Sequence, residues 1–214
     1  GTSNERMLAY YMLGCVYRDI HEAPMALEYY NKATEQADTT SQDCDYATLC
    51  RIYGQMGILF EKQFLPYQEL GALDKAVKYA YSAKDTLNAL RYYQNKNSAY
   101  DFLGKKDSAM IINLKAANLF RKHGYDYDAN IAFGCNYIYY IDNKNYPKAK
   151  EAFEAYQSTN YQGNTNYDDS KAFLLYEKGL YYMFMNNLNI AYTCLQQSLK
   201  LSKSYSNKCA ATKG

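Results

Sequence analysis

Apolar and small residues return three and four positions apart along most of the chain, with polar residues between them; that spacing places them on one face of a helix. Tyr10, Leu13, Gly14 and Tyr17 form one such set, and Ala26, Tyr30 and Ala33 form a second beyond a polar break at His21 and Glu22. Continued along the chain, the pattern predicts helices near residues 5–20, 24–38, 43–63, 73–84, 86–103, 107–123, 126–143, 147–157, 168–186 and 189–204. The breaks are short except for two, one around Phe64–Gly71 and one from Ser158 to Asp168 that is rich in Asn, Ser, Thr, Gly and Tyr.

A repeat follows from the same positions. A small residue for a close helix crossing stands at Gly14, with Asn97, Tyr137, Gly57 and Gly179 at the matching positions, and an alanine partner at Ala26, Ala76, Ala109, Ala149 and Ala191. Two residues before each alanine stand Pro24, Asp74, Asp107, Pro147 and Asn189, all residues suited to the start of a helix. In this frame Gly57 and Ala76 lie 19 residues apart where Gly14 and Ala26 lie 12 apart, so the second repeat carries a seven-residue insertion around Phe64–Gly71. That insertion is either a longer hairpin tucked against its neighbours or a protruding contact element. The repeats run over about 7–40, 43–84, 86–123, 126–157 and 168–204, and Ser206–Gly214 reads as the opening of a sixth. The abrupt start and end are expected to be those of a segment trimmed from a longer chain.

The residues at these offsets resemble the tetratricopeptide repeat (TPR) family, whose pattern is an aromatic, Leu-Gly, Tyr, Ala, aromatic and Ala over roughly 34 residues. The resemblance spans about Met7 to Gly214 and implies an all-α solenoid, a right-handed superhelix of helix pairs whose first (A) helices line a concave groove. It implies a non-catalytic scaffold or adaptor that seats a peptide or partner protein in that groove. Carried onto matching positions, the groove residues are Tyr11 and Arg18 in the first repeat, Arg51 and Lys62 in the second, Arg91 and Gln94 in the third, and Tyr176 and Met183 in the fifth. Gly54, Ile58, Glu61, Ser98, Asp101 and Phe102 fall on groove positions too. The resulting groove is cationic and polar at its N-terminal end and apolar with aromatics at its C-terminal end, which suits a peptide with an acidic and a hydrophobic part. The apolar end is equally explained by packing against further repeats. More loosely, the chain resembles the TPR sensor regions of bacterial membrane-anchored regulators, which implies a bacterial protein facing the periplasm or envelope rather than the cytoplasm.

Composition narrows the chemistry. Of 214 residues 27 are tyrosine and none is tryptophan; eight of those tyrosines, including Tyr53, Tyr93, Tyr100, Tyr140 and Tyr182, occupy the repeat's own aromatic positions. A net charge of +2 is too balanced to argue for nucleic acid or an anionic membrane as partner, and no apolar run is long enough to span a bilayer, so neither nucleic-acid binding nor membrane insertion is expected of this segment. The six cysteines show no Cys-x-x-Cys pair and no histidine at a zinc-ligand spacing, and read as small apolar fillers. The two histidines fall at helix ends, His21 in a turn and His123 in a last helical turn, and Asp168-Asp169 reads as capping charge. Gly54-x-x-Gly57 lies within a helix and is expected to serve close packing rather than a phosphate. No catalytic constellation, cofactor or metal is expected. Two functions remain: a protein-interaction module working through the groove, or a receptor whose tyrosine-rich concave face stacks on a glycan-like ligand. Self-association is left open.

Overall fold

A computed structural model describes residues 2–159 and 167–211, excepting the side chains at 167–170, 173 and 204–211. The described residues form helices and no strands: α1 (Ser3–Asp19), α2 (Ala23–Glu35), α3 (Tyr46–Lys62), α4 (Pro66–Ser82), α5 (Thr86–Phe102), α6 (Lys106–Lys122), α7 (Asp126–Gly134), α8 (Tyr137–Asp142), α9 (Tyr146–Ser158), α10 (Tyr167–Phe184) and α11 (Leu188–Ala211). They gather into two compact units, residues 1–129 and 130–214.

Among the described residues one turn is used seven times. Three residues separate α1 from α2, α3 from α4, α4 from α5, α5 from α6, α6 from α7, α8 from α9 and α10 from α11. The middle residue of each has positive φ: His21, Phe64, Lys84, Gly104, Gly124, Lys144 and Asn186, with φ between 55° and 76°. In each turn the third N–H reaches back five residues, as from Glu22 to the Tyr17 carbonyl at 2.8 Å and from Lys105 to the Tyr100 carbonyl at 2.8 Å. This left-handed cap satisfies carbonyls that the end of a helix would otherwise leave bare, and turns the chain back on itself. Because 17-residue helices alternate with three-residue turns, helices begin at 46, 66, 86, 106, 126 and 146, twenty apart. The helix pair therefore repeats every 40 residues here, longer than the roughly 34 of the family pattern.

Each pair is locked at one crossing, and the residues there are always 16 apart. The position of a Cβ on Gly14 falls 2.4 Å from the Tyr30 ring, one on Gly57 falls 2.9 Å from Leu73, and one on Gly179 falls 2.6 Å from Leu195. A side chain at any of these positions would have to displace the facing one. In the third pair the crossing is polar, with Asn97 Nδ2 donating to Asn113 Oδ1 at 2.7 Å. In the fourth, Tyr137 meets Phe153 edge-on with centroids 5.4 Å apart. A tyrosine cannot make the close approach, and the first helix of that pair is broken into α7 and α8 at Cys135–Asn136. The close contact moves one turn earlier, to Gly134, whose Cβ position lies 2.9 Å from the Tyr156 Cα. The single helix expected over 126–143 is thereby corrected.

The same crossing corrects the second repeat. Because Gly57 packs on Leu73 as Gly14 packs on Tyr30, the residue matching Ala26 is Glu69, and Ala76 matches Ala33. There is no insertion: Phe64 and Leu65 belong to the turn, and Pro66 opens α4 as Pro24 and Pro147 stand in the first turns of α2 and α9. Asp74, expected at a helix start, lies in mid-helix and accepts from Lys96 at 2.6 Å. A buried glutamate takes the crossing position that is alanine in the other four pairs, and the alanine of the expected frame stands seven residues, about two helical turns, further on. At the other end, α11 continues without a break to Ala211, so residues 206–211 extend that helix rather than open a sixth repeat. Residues 212–214, the linker over 160–166, and the side chains of Asp168, Asp169 and Phe173 lie outside the described residues.

The core of the first unit joins Met7, Tyr30, Leu49, Ile52 and Leu59 to the alanines Ala26, Ala33 and Ala72. That of the second packs Tyr137, Tyr140, Phe153 and Tyr181, with the Phe153 and Tyr181 rings stacked at 4.0 Å. Tyrosine takes the part of the large core residue in both. Its hydroxyls find partners at the margins, as Tyr30 does on Cys15 Sγ at 3.7 Å and Tyr137 on the Glu177 carboxylate.

Candidate functional site

The first helices of three successive pairs, α1, α3 and α5, bring a set of side chains onto one surface of the first unit. On α1, Tyr11 lies beside Tyr30 with ring centroids 6.0 Å apart, and burial raises its pKa, with Cys15 adding to the rise and the charges of Arg51 and Arg18 opposing it. Arg18 donates to Gln55 Oε1 of α3 at 2.7 Å and to Asp19 at 2.8 Å. On α3, Arg51 is exposed and folds back along its own helix, donating to the Ala47 carbonyl and to Thr48 Oγ1, each at 3.1 Å. The Thr48 hydroxyl donates in turn to Asp45, the N-cap of α3, at 2.6 Å.

Tyr92 of α5 completes the surface. Its ring lies over Gly54 of α3, so close that a Cβ there would fall 2.4 Å from the ring and 2.8 Å from the hydroxyl. Burial pushes the Tyr92 phenol up to about 12, with Cys50, Tyr11 and Asp85 adding to the rise and Arg51 opposing it. One helix further on, Arg91 of α5 pairs with Asp128 of α7 at 2.7 Å and 3.4 Å in a forked ion pair.

The structure thus brings together Tyr11, Arg18 and Arg51. Arg91 sits on α5 beside Tyr92, and Gln94 is half-buried on the same helix. Lys62 is exposed in the last turn of α3. Tyr176 and Met183 lie on α10 in the second unit, 45% and 42% exposed. The cationic end is less cationic than its sequence: Asp128 offsets Arg91 and Asp19 offsets Arg18, which leaves Arg51 and Lys62 as the open charges on the expected positions. Tyr92, Gln55 and Asp128 were not among the expected residues. A glycine at the groove position Gly54 is the signal that something bulky lies over it, although spacing alone does not say which residue.

The remaining polar candidates have structural settings. His21 occupies the left-handed position of the first turn, and His123 caps α6 with its ring stacked near Tyr125. Cys50 and Cys194 are buried and Cys15 and Cys44 half-buried, all as free thiols. Among the described residues no cluster of metal-ligating side chains occurs, and no helix is long and apolar enough to cross a membrane.

Residues 8–39 and 174–205 match the tetratricopeptide repeat family. The first segment takes in most of α1 and all of α2, the second most of α10 and α11, and both helix pairs keep glycine at the crossing and alanine opposite it. None of the curated proteins matches the chain. Among solved structures the chain is similar to BtubC (BKLC) from P. vanneervenii, at 13% identity over 92% of this chain and 80% of that one, with a TM-score of 0.70. At that identity the likeness concerns the fold. The chain is an all-α, TPR-like helical-repeat protein, and repeats of this family generally mediate protein–protein interaction.

Proposed function

We propose that this chain is a non-catalytic interaction module that holds a peptide or partner protein against the A-helix face. The observation that carries this reading is the convergence of Tyr11, Arg18, Arg51 and Tyr92 from three separate helices onto one surface, with the Arg51 guanidinium exposed and bonded only along its own helix. Such a guanidinium can exchange its intrahelical acceptors for carbonyls or carboxylates of a partner at small cost. The binding residues are Tyr11, Arg18, Arg51, Lys62, Arg91 and Gln94 in the first unit and Tyr176 and Met183 in the second. The tyrosines weigh against a sugar-stacking receptor, because so many rings are already stacked on one another: Tyr17 lies on Tyr29 at 5.1 Å, and Tyr46 and Tyr53 both lie on Tyr79.

The test is a charge reversal at an exposed position whose hydrogen bonds stay within its own helix. Arg51→Glu should leave the melting temperature within a few degrees of the parent chain and reduce recovery of a partner from the native host at least tenfold. Equal recovery by the parent and the variant would remove the groove from the account.

A further inference from the structure

At the C-terminal ends of α3 and α5 lies a cavity of about 230 Å³ whose lining includes Glu61, Phe64, Glu69, Ser98, Asp101 and Phe102. Three of these are carboxylates, and among the described residues none of the three is in a salt bridge. Glu69 is only 3% exposed and stands where the first, third, fourth and fifth helix pairs have alanine. Its Oε1 accepts from the Ser98 hydroxyl at 2.5 Å, while burial and the neighbouring Glu61 charge hold its pKa above the usual carboxylate range. A carboxyl buried at a helix crossing with no cation beside it is a cost to the fold. The opposite wall is apolar: Phe64 and Phe102 stack on each other at 5.5 Å, yet they are 68% and 57% exposed.

We propose that this cavity is the seat of an arginine side chain from the partner segment held on the A-helix face. The proposal rests on the groove reading and specifies its partner. Charge selects a cation, since the lining carries three acids and no base. Size selects a single side chain, because about 230 Å³ falls short of the roughly 300–1,000 Å³ of sites for drug-sized ligands. Shape selects arginine over lysine: a planar guanidinium stacks on the exposed Phe64–Phe102 wall while its fork donates to carboxylates, and it is shed from water more readily than an ammonium. Glu61, Ser98, Asp101 and Phe102 are all groove positions of the repeat, so the arginine would enter from the face that carries Arg51. The partner is thereby expected to be basic here, opposite to the acidic segment that the arginines suggest when counted from sequence.

The experiment is an NMR titration of the full chain with the peptide acetyl-Ala-Leu-Arg-Leu-Ala-amide, and with the same peptide carrying citrulline, which keeps the shape of arginine and lacks its charge. The arginine peptide should shift the resonances of residues 61–69 and 98–104 saturably in 150 mM salt, and the citrulline peptide should bind at least tenfold more weakly. Asp101→Asn and Phe102→Ala alter exposed groups, and each should weaken the arginine peptide at least threefold; Glu69→Gln should do so more strongly. Equal binding of both peptides, shifts confined to other residues, or no binding would overturn the arginine site. The groove itself stands or falls separately, on whether partner recovery depends on Arg51.

Discussion

Gly54 is small because Tyr92 occupies the space that a side chain would fill. Replacing it with alanine forces the ring aside, and overpacking of this kind costs about 1–3 kcal/mol. We expect Gly54→Ala to destabilise the chain by that amount and Tyr92→Leu to absorb much of the loss, so that in a double-mutant cycle the two changes together cost less than their sum; strict additivity in urea unfolding would show that the ring is free to move elsewhere. Glu69 makes a prediction of opposite sign. Its pKa in the fold lies above the value of about 4.3 for an unperturbed glutamate. The folded state then binds more protons than the unfolded chain between that value and the raised one, so stability falls as pH rises through this window and the full cost remains above it. Glu69→Gln keeps an acceptor for Ser98 and removes the charge. The variant should gain on the parent as pH is taken from 4 to 7, whereas a constant difference between the two would mean that Glu69 ionises in the fold as freely as in water.

At the scale of elements, the three-residue turn does most of the building, and its demands fall on one position. Left-handed φ costs a residue with a side chain about 1–2 kcal/mol relative to glycine, yet five of the seven turns place His21, Phe64, Lys84, Lys144 or Asn186 there. Lys144→Gly should therefore stabilise its unit by about 0.5–1 kcal/mol and Gly104→Ala should destabilise its own by about 1 kcal/mol, measured by chemical unfolding. If the two substitutions shift stability in the same direction, backbone strain is not what governs these turns. The helices were legible because their aromatic and small residues keep helical spacing; even the aromatics Tyr17, Phe60, Tyr100, Tyr140 and Tyr182 recur where the helix ends, their carbonyls accepting the turn's long bond. What spacing could not supply was register when a crossing changed its chemistry. The first and fifth pairs keep glycine and alanine and match the family, whereas Glu69, the Asn97–Asn113 bond and Tyr137 solve the same contact with residues the pattern does not contain. An alanine seven residues too late was then the nearest fit to the pattern, and a proline that opens a helix looked like part of an insertion.

At the scale of the molecule, the fold follows from the repeats, while the proposed binding face follows from which side chains are left over once the repeats are packed. Most of the tyrosine excess is consumed in the packing: Tyr30, Tyr137, Tyr140 and Tyr181 are buried, and Tyr17, Tyr46 and Tyr53 stack on other rings. The surface of α1, α3 and α5 keeps Arg51 and Tyr92, and the acidic cavity beside Phe64 and Phe102 lies at the C-terminal ends of α3 and α5. Its arginines are expected there from the family pattern alone, and the cavity is invisible to that pattern, which puts Glu69 in an insertion rather than at the crossing of α4. If this face is where a partner docks, a photo-reactive amino acid placed on it should find that partner. The most direct measurement is site-specific crosslinking in the native host with p-benzoyl-phenylalanine at Gln94, compared with the same group at Lys32 on α2, the second helix of its pair. We predict one protein adduct from position 94, abolished when Arg51→Glu is added, and none from position 32; adducts that form equally from both positions, or that survive Arg51→Glu, would contradict docking on the A-helix face.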